Sequence, residues 1–232
     1  MLLNLFENAR FRTLRIGALS FVAATGLILS ACSGASDDKK DADYVERPVE
    51  QIYADAWKQI NNHDWENAAK QFDEVERQHP YSIWARRAML MSAFCYYQAN
   101  KYTDATNTAD QYISLHPGSK EVAYAFYLKA MSLYEQIVDV GRDQTVTEQA
   151  LTALQDVVQR YQKTSQIAEA LERLTEAYYA LGVYNEAKTA AAVLGANYPG
   201  SPWYQDAYDL LVTHNLKPGV DQSSWLARQF RL

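Results

Sequence analysis

Four histidines, two cysteines and a scatter of carboxylates are the side chains of this 232-residue sequence that could bind a metal or drive acid–base and nucleophilic chemistry. His79 and His116 each stand directly before a proline, Pro80 and Pro117, and are 37 residues apart. A histidine that recurs with its proline reads as a helix-end residue, because a catalytic group has no reason to repeat. His63 and His214 stand alone, so no metal cluster is expected. There is no glycine-rich phosphate loop, no HExxH and no GxSxG. The sequence therefore points away from an enzyme, and no cofactor is expected. Its formal net charge of −6 also points away from nucleic acid, which requires a basic face to neutralise phosphates.

The unusual supply is aromatic: 17 Tyr, 7 Phe and 5 Trp against 9 Gly and 6 Pro. So few turn residues suit long helices better than a many-stranded sandwich or barrel. Hydrophobic residues make up 48%, enough for one sizeable core.

The N-terminus is an address. Arg10, Arg12 and Arg15 precede Ile16 to Ser30, a stretch without charge and too short to span a bilayer, and a polar tract follows directly. Leu29-Ser30-Ala31-Cys32 resembles the bacterial lipobox, in which the cysteine is diacylated and becomes the mature N-terminus. On that reading residues 1–31 are a lipoprotein signal peptide, Cys32 is the lipidation site and 32–47 a flexible linker. Cleavage removes Arg10, Arg12, Arg15 and Glu7, so the body carries −8 instead of −6. Acyl chains contribute about 0.8 kcal/mol per buried CH₂, enough to hold the protein on a membrane without a spanning helix. Ser33 after the cysteine resembles lipoproteins sent to the outer membrane, here with the body on the periplasmic side. Cys95, within AFCYY, reads as a buried small hydrophobe.

Position organises the rest. Trp65, Ala68, Phe72, Val75 and Pro80 recur 37 residues later as Tyr102, Ala105, Ala109, Tyr112 and Pro117. Ala150, Leu154, Val157 and Gln162 recur, again at 37, as Ala187, Ala191, Leu194 and Pro199, while Ala105 to Ala150 is 45. An aromatic at a turn, a small residue where helices cross and a helix-stopping proline resemble the tetratricopeptide repeat. The expected fold is all-α: an α-solenoid over 48–214 of about four helix pairs, 48–62 with 64–78, 82–99 with 102–115, 119–139 with 146–161 and 165–181 with 184–197. A capping helix at 202–214 closes it, and 215–232 is a C-terminal tail. Ser82, Ser119, Ser165 and Ser201 are expected N-caps, and Thr145-x-x-Glu148 a capping box.

In such pairs the first helix lines the concave side. Spacings of three and four put Tyr53, Trp57 and Ile60 on one stripe, then Leu90, Phe94 and Tyr97, then Tyr124, Tyr127, Met131 and Tyr134. The fourth stripe is Glu169, Glu172, Glu176 and Tyr179. This outlines a peptide-binding groove with an acidic end, although a shift of phase by one residue would turn the same side chains into core. The eight extra residues of unit three contain Gly141, Arg142, Asp143 and Gln144, a candidate partner-binding loop that also reads as an ordinary helix-ending turn.

The lipobox, the acidic leash, the repeats, the tract YEQIVDVGRDQ from Tyr134 to Gln144, and the later segments ALERLTEAYYALGVYNEAK and LGANYPGSPWYQDAY together resemble the BamD family, in its alphaproteobacterial form. These are lipoproteins of the outer-membrane β-barrel assembly machinery. The resemblance implies a non-enzymatic scaffold that binds C-terminal segments of unfolded outer-membrane proteins and docks to BamA and other subunits of the complex. It also implies about five repeats, so DVVQRYQKTSQIAEAL reads as a splice from which one helix pair is missing. The competing readings are a repeat lipoprotein of pilus biogenesis or of Tol-Pal-linked division, and a peptidoglycan-modifying lipoprotein.

Overall fold

A computed structural model describes residues 46–137 and 144–231. The expected acylation site Cys32 and the loop residues Gly141, Arg142 and Asp143 lie outside them.

Ten helices occupy the described residues, with no strand among them: α1 (Val49–Asn61), α2 (Trp65–Gln78), α3 (Ile83–Gln98), α4 (Tyr102–Leu115), α5 (Val122–Tyr134), α6 (Gln144–Arg160), α7 (Ile167–Ala180), α8 (Tyr184–Asn197), α9 (Pro202–Thr213) and α10 (Trp225–Phe230). Each of α1 to α8 packs on its successor, and α1, α3 and α5 also touch in sequence, the stacking of a tetratricopeptide solenoid.

The repeat supplies the contacts that hold this stack. Ala68, Ala105, Ala150 and Ala187 are all fully buried on the second helix of each pair, where a larger side chain would push the helices apart. One turn on, Phe72, Ala109, Leu154 and Ala191 are fully buried too, followed by Val75, Tyr112, Val157 and Leu194. Fully burying each large apolar side chain of this set stabilises the fold by about 1.5–3 kcal/mol. Every pair leaves its second helix through the same turn. The backbone N–H groups of Ser82, Ser119, Thr164 and Ser201 donate to the carbonyls of His79, His116, Tyr161 and Tyr198 at 3.0–3.1 Å. His79 and His116 are thus helix-end residues, and His79 Nε2 also donates to the Arg47 carbonyl at 2.7 Å, fixing the start of the domain.

Local chemistry decided the caps unevenly. Ser82 accepts from Ala85 N–H at 3.1 Å, as expected. Ser201 stands at the N-cap position of α9 with Pro202 after it, but its side chain makes no cap bond. Ser119 instead bonds the Tyr112 hydroxyl at 2.9 Å, and the N-cap position of α5 falls to Glu121. For α7 it falls to Gln166, not Ser165. Helix α6 begins at Gln144, one residue before the Thr145 expected to cap it. Helix α5 ends at Tyr134, five residues short of the expected 139.

Two helices close the far end. Gly195 admits the Tyr204 ring of α9, which a Cβ there would meet at 2.5 Å. The tail folds back: Leu226 of α10 is fully buried, Trp225 Nε1 donates to the Tyr178 hydroxyl at 2.8 Å, and Asp221 N–H donates to Thr189 Oγ1 at 3.0 Å. Cys95 is fully buried, and burial pushes its thiol up to about 12, so it packs as a hydrophobe.

Candidate peptide-binding groove

The inner helices α1, α3, α5 and α7 carry the four predicted stripes, and the structure joins them unequally. In unit one the Tyr53 ring meets Phe72 at 5.2 Å and Trp84 at 4.8 Å, while Trp57 stays 42% exposed. In the middle Leu90, Phe94, Tyr97 and Tyr124 pack together over Ala93, Ala109 and Leu128, half-buried, with one side open. Tyr124 stacks on Tyr127 at 5.8 Å. Burial pushes the Tyr97 and Tyr124 hydroxyls up to about 12, so both are neutral donors at any physiological pH.

One expectation fails. Met131 is 1% exposed and belongs to the core, because the α5 stripe drifts around its helix and the face turns inward at that position.

At the α7 end the arrangement becomes ionic. Tyr127 donates its hydroxyl to Glu169 Oε2 at 2.6 Å, and Tyr134 donates to Glu176 Oε2. Arg173, which the stripe analysis did not select, stands among three acids: Glu176 at 2.8 Å, Glu172 at 3.0 Å and Glu169 at 4.0 Å. Its guanidinium also lies over the Tyr134 and Trp203 rings at 5.1 and 5.3 Å. Glu172 is 2% exposed, and its Oε2 faces Arg173 without the alignment of a hydrogen bond. Burial, with Glu176 beside it, holds its carboxyl well above the usual carboxylate range. The acidic end of the predicted groove is thus a closed network. Its signal in the sequence was present in EALERLTE, where Arg173 follows Glu169 by four and precedes Glu176 by three.

Gln144 is exposed at the start of α6. No group of three or more His, Cys, Asp or Glu side chains among the described residues could hold a metal ion. Nor is any helix among them long and apolar enough to cross a membrane.

A family model described as outer membrane lipoprotein, YfiO, matches residues 45–165, and a tetratricopeptide repeat model matches residues 169–201. The chain belongs to the BamD family of outer membrane lipoproteins. It is 41% identical to the outer membrane protein assembly factor BamD of Caulobacter vibrioides, over 83% of this chain and 80% of that protein. It is 30% identical to BamD of Rickettsia prowazekii, over 83% of this chain and 96% of that one. BamD of Neisseria gonorrhoeae is 29% identical over 68% of this chain. The first two alignments run over 244 positions yet take in 83% of a 232-residue chain. More BamD positions than one 37-residue unit therefore lack a counterpart here, which agrees with a missing helix pair. The two family-model matches adjoin where α6 passes into α7, within the segment read as the splice.

Proposed function

We propose that this chain is an outer-membrane protein assembly factor, a non-enzymatic scaffold held at the periplasmic face of the outer membrane by acyl chains on Cys32. It receives C-terminal segments of unfolded outer-membrane proteins on the inner faces of α1, α3 and α5 and presents them to BamA. The observation that carries the substrate step is the open, largely aromatic cluster of Leu90, Phe94, Tyr97 and Tyr124, side chains on two units that the stacked repeat packs together, with Trp57 exposed on α1. Tyrosine and tryptophan offer large rigid contact area at low entropic cost, which suits alternating apolar side chains of an extended strand. Each aromatic pair adds roughly 0.5–1.5 kcal/mol beyond area burial, so a few such contacts support micromolar capture and ready release. Residues 141–144, with Arg142, are the contact we assign to BamA.

Trp57 and Tyr97 are the substitutions that test this with least damage to the fold, since neither is fully buried and the Tyr97 hydroxyl serves no bond among the described residues. A fluorescent peptide copying the last strand of an outer-membrane barrel should bind the full chain in the micromolar range. The Trp57→Ala/Tyr97→Ala variant should lose at least about tenfold in affinity with unchanged circular dichroism. Unaltered affinity refutes the groove. Arg142→Ala should spare the peptide and reduce BamA co-purification, and Cys32→Ala should release the protein from outer-membrane fractions.

A further inference from the structure

A second surface lies outside the groove, where α2 turns into α3. Tyr81 is 101% exposed and Ile83 83%, and Leu115 at the end of α4 is 57% exposed. Between them opens a cleft of about 500 Å³ whose floor includes Met89 and Ala85, 3% and 4% exposed, with Pro80 and His116 at its sides. A second cleft, of about 270 Å³, is lined by Ile83, Trp84, Arg86 and Arg87, so the two share Ile83 and Arg86.

The two arginines distinguish this patch from a merely apolar one. Elsewhere among the described residues Arg47, Arg77, Arg160 and Arg173 each hold a carboxylate. Arg86 and Arg87 are exposed and meet no acid and no acceptor among the described residues. The cleft contains one carboxylate, Glu76, which already accepts from Gln111 Nε2 at 2.9 Å. In a chain of net charge −6, two adjacent unpaired guanidinium groups beside an apolar hollow form a local positive spot.

We infer that this patch docks an acidic segment of a partner protein, in which an apolar side chain enters the Met89 cleft and flanking carboxylates pair with Arg86 and Arg87. Charge selects the partner. The acidic surface elsewhere repels such a segment, whereas the planar guanidinium fork takes a carboxylate bidentately. Shape favours a peptide over a bilayer, since a flat headgroup surface would reach Tyr81 and Ile83 but not the recessed floor. This surface is independent of the aromatic groove, so either can fail alone.

The test uses the detergent-solubilised full chain and a fluorescein-labelled peptide, Asp-Asp-Leu-Phe-Asp-Asp, with Lys-Lys-Leu-Phe-Lys-Lys as the charge control. The acidic peptide should bind saturably with a Kd on the order of 100 µM that weakens as salt rises, and the basic one should not. Arg86→Glu/Arg87→Glu should cost at least about tenfold, and Ile83→Ser about threefold, with helical content and barrel-peptide affinity unchanged. No binding of the acidic peptide, equal binding of the basic one, or indifference to the arginine reversals overturns the inference. Two other results also overturn it. One is arginine-dependent binding only to vesicles of phosphatidylethanolamine and phosphatidylglycerol, which makes the surface a membrane contact. The other is a dimer that the reversals dissolve, which makes it a contact with a second copy.

Discussion

Tyr97 and Tyr134 occupy the same repeat position, 37 residues apart, on α3 and α5, and the molecule uses them in opposite ways. Tyr97 lies in the open middle cluster, its ring 5.9 Å from Tyr102 and its hydroxyl without a partner among the described residues. Tyr134 gives its hydroxyl to Glu176 and its face to Arg173. The backbone geometry is common to both, so the difference comes from the neighbouring inner helix. Helix α5 offers Tyr97 an apolar and aromatic face, whereas α7 offers Tyr134 three acids and an arginine. A repeat fold fixes where a side chain points, and the next unit decides whether that surface remains open to a partner or is spent on the fold itself.

Arg173→Met breaks the closed half most severely. Glu169 and Glu176 lose their counter-charge and the 2% exposed Glu172 loses its basic neighbour, and removing one member of a buried ion cluster costs about 3–5 kcal/mol. Urea unfolding should show that loss. The same change outside the groove, Arg86→Met, should move stability by less than about 0.5 kcal/mol, as for other exposed positions without partners. Equal effects at the two sites would erase the distinction.

Glu172→Gln sharpens it through pH. The folded state holds the Glu172 proton more firmly than the unfolded chain, whose carboxyl has the ordinary value of 4.5. Above that pH unfolding releases a proton, so the native residue loses stability as pH rises towards its folded value. Glutamine does not titrate, and Arg173 keeps Glu169 and Glu176. The melting-temperature difference between Gln variant and parent should therefore grow in the variant's favour from pH 5 to pH 8, by a few degrees. A difference that stays flat with pH would mean that Glu172 is charged in the fold.

What the sequence revealed about this molecule was what repeats. Ala68, Ala105, Ala150 and Ala187, and the turns after His79 and His116, are local signals printed more than once, so register and pairing follow from spacing alone. The end of α5 and the start of α6 did not follow, because the eight-residue insertion has no second copy against which to align it. Met131 shows the resolution limit of a three-and-four spacing, which locates a helix face only to within one residue and here crossed from groove to core. The Trp225–Tyr178 bond joins residues 47 apart through the folding back of the tail, and Arg173 meets Trp203 only after α9 has docked. Neither meeting leaves a periodic trace.

The smallest expected effect is the most discriminating, because it removes one oxygen at each of two equivalent positions. Tyr134→Phe deletes a hydrogen bond to the Glu176 carboxyl in a partly buried site, and bonds to carboxyl groups of this kind contribute up to about 1.5–3 kcal/mol. Arg173 remains on Glu176 after the change, so the loss should fall at the low end of that range. Tyr97→Phe deletes a hydroxyl that bonds to no described residue and leaves the ring in place, so stability should shift by no more than about 0.5 kcal/mol. If the open stripe reads strand side chains through ring area, Tyr97→Phe should also keep barrel-peptide affinity, while Tyr97→Ala loses it. Should Tyr97→Phe destabilise as much as Tyr134→Phe, the two halves share one closed chemistry. Should it preserve the fold but abolish peptide binding, the hydroxyl is a recognition group, and the groove reads backbone amides as well as side chains.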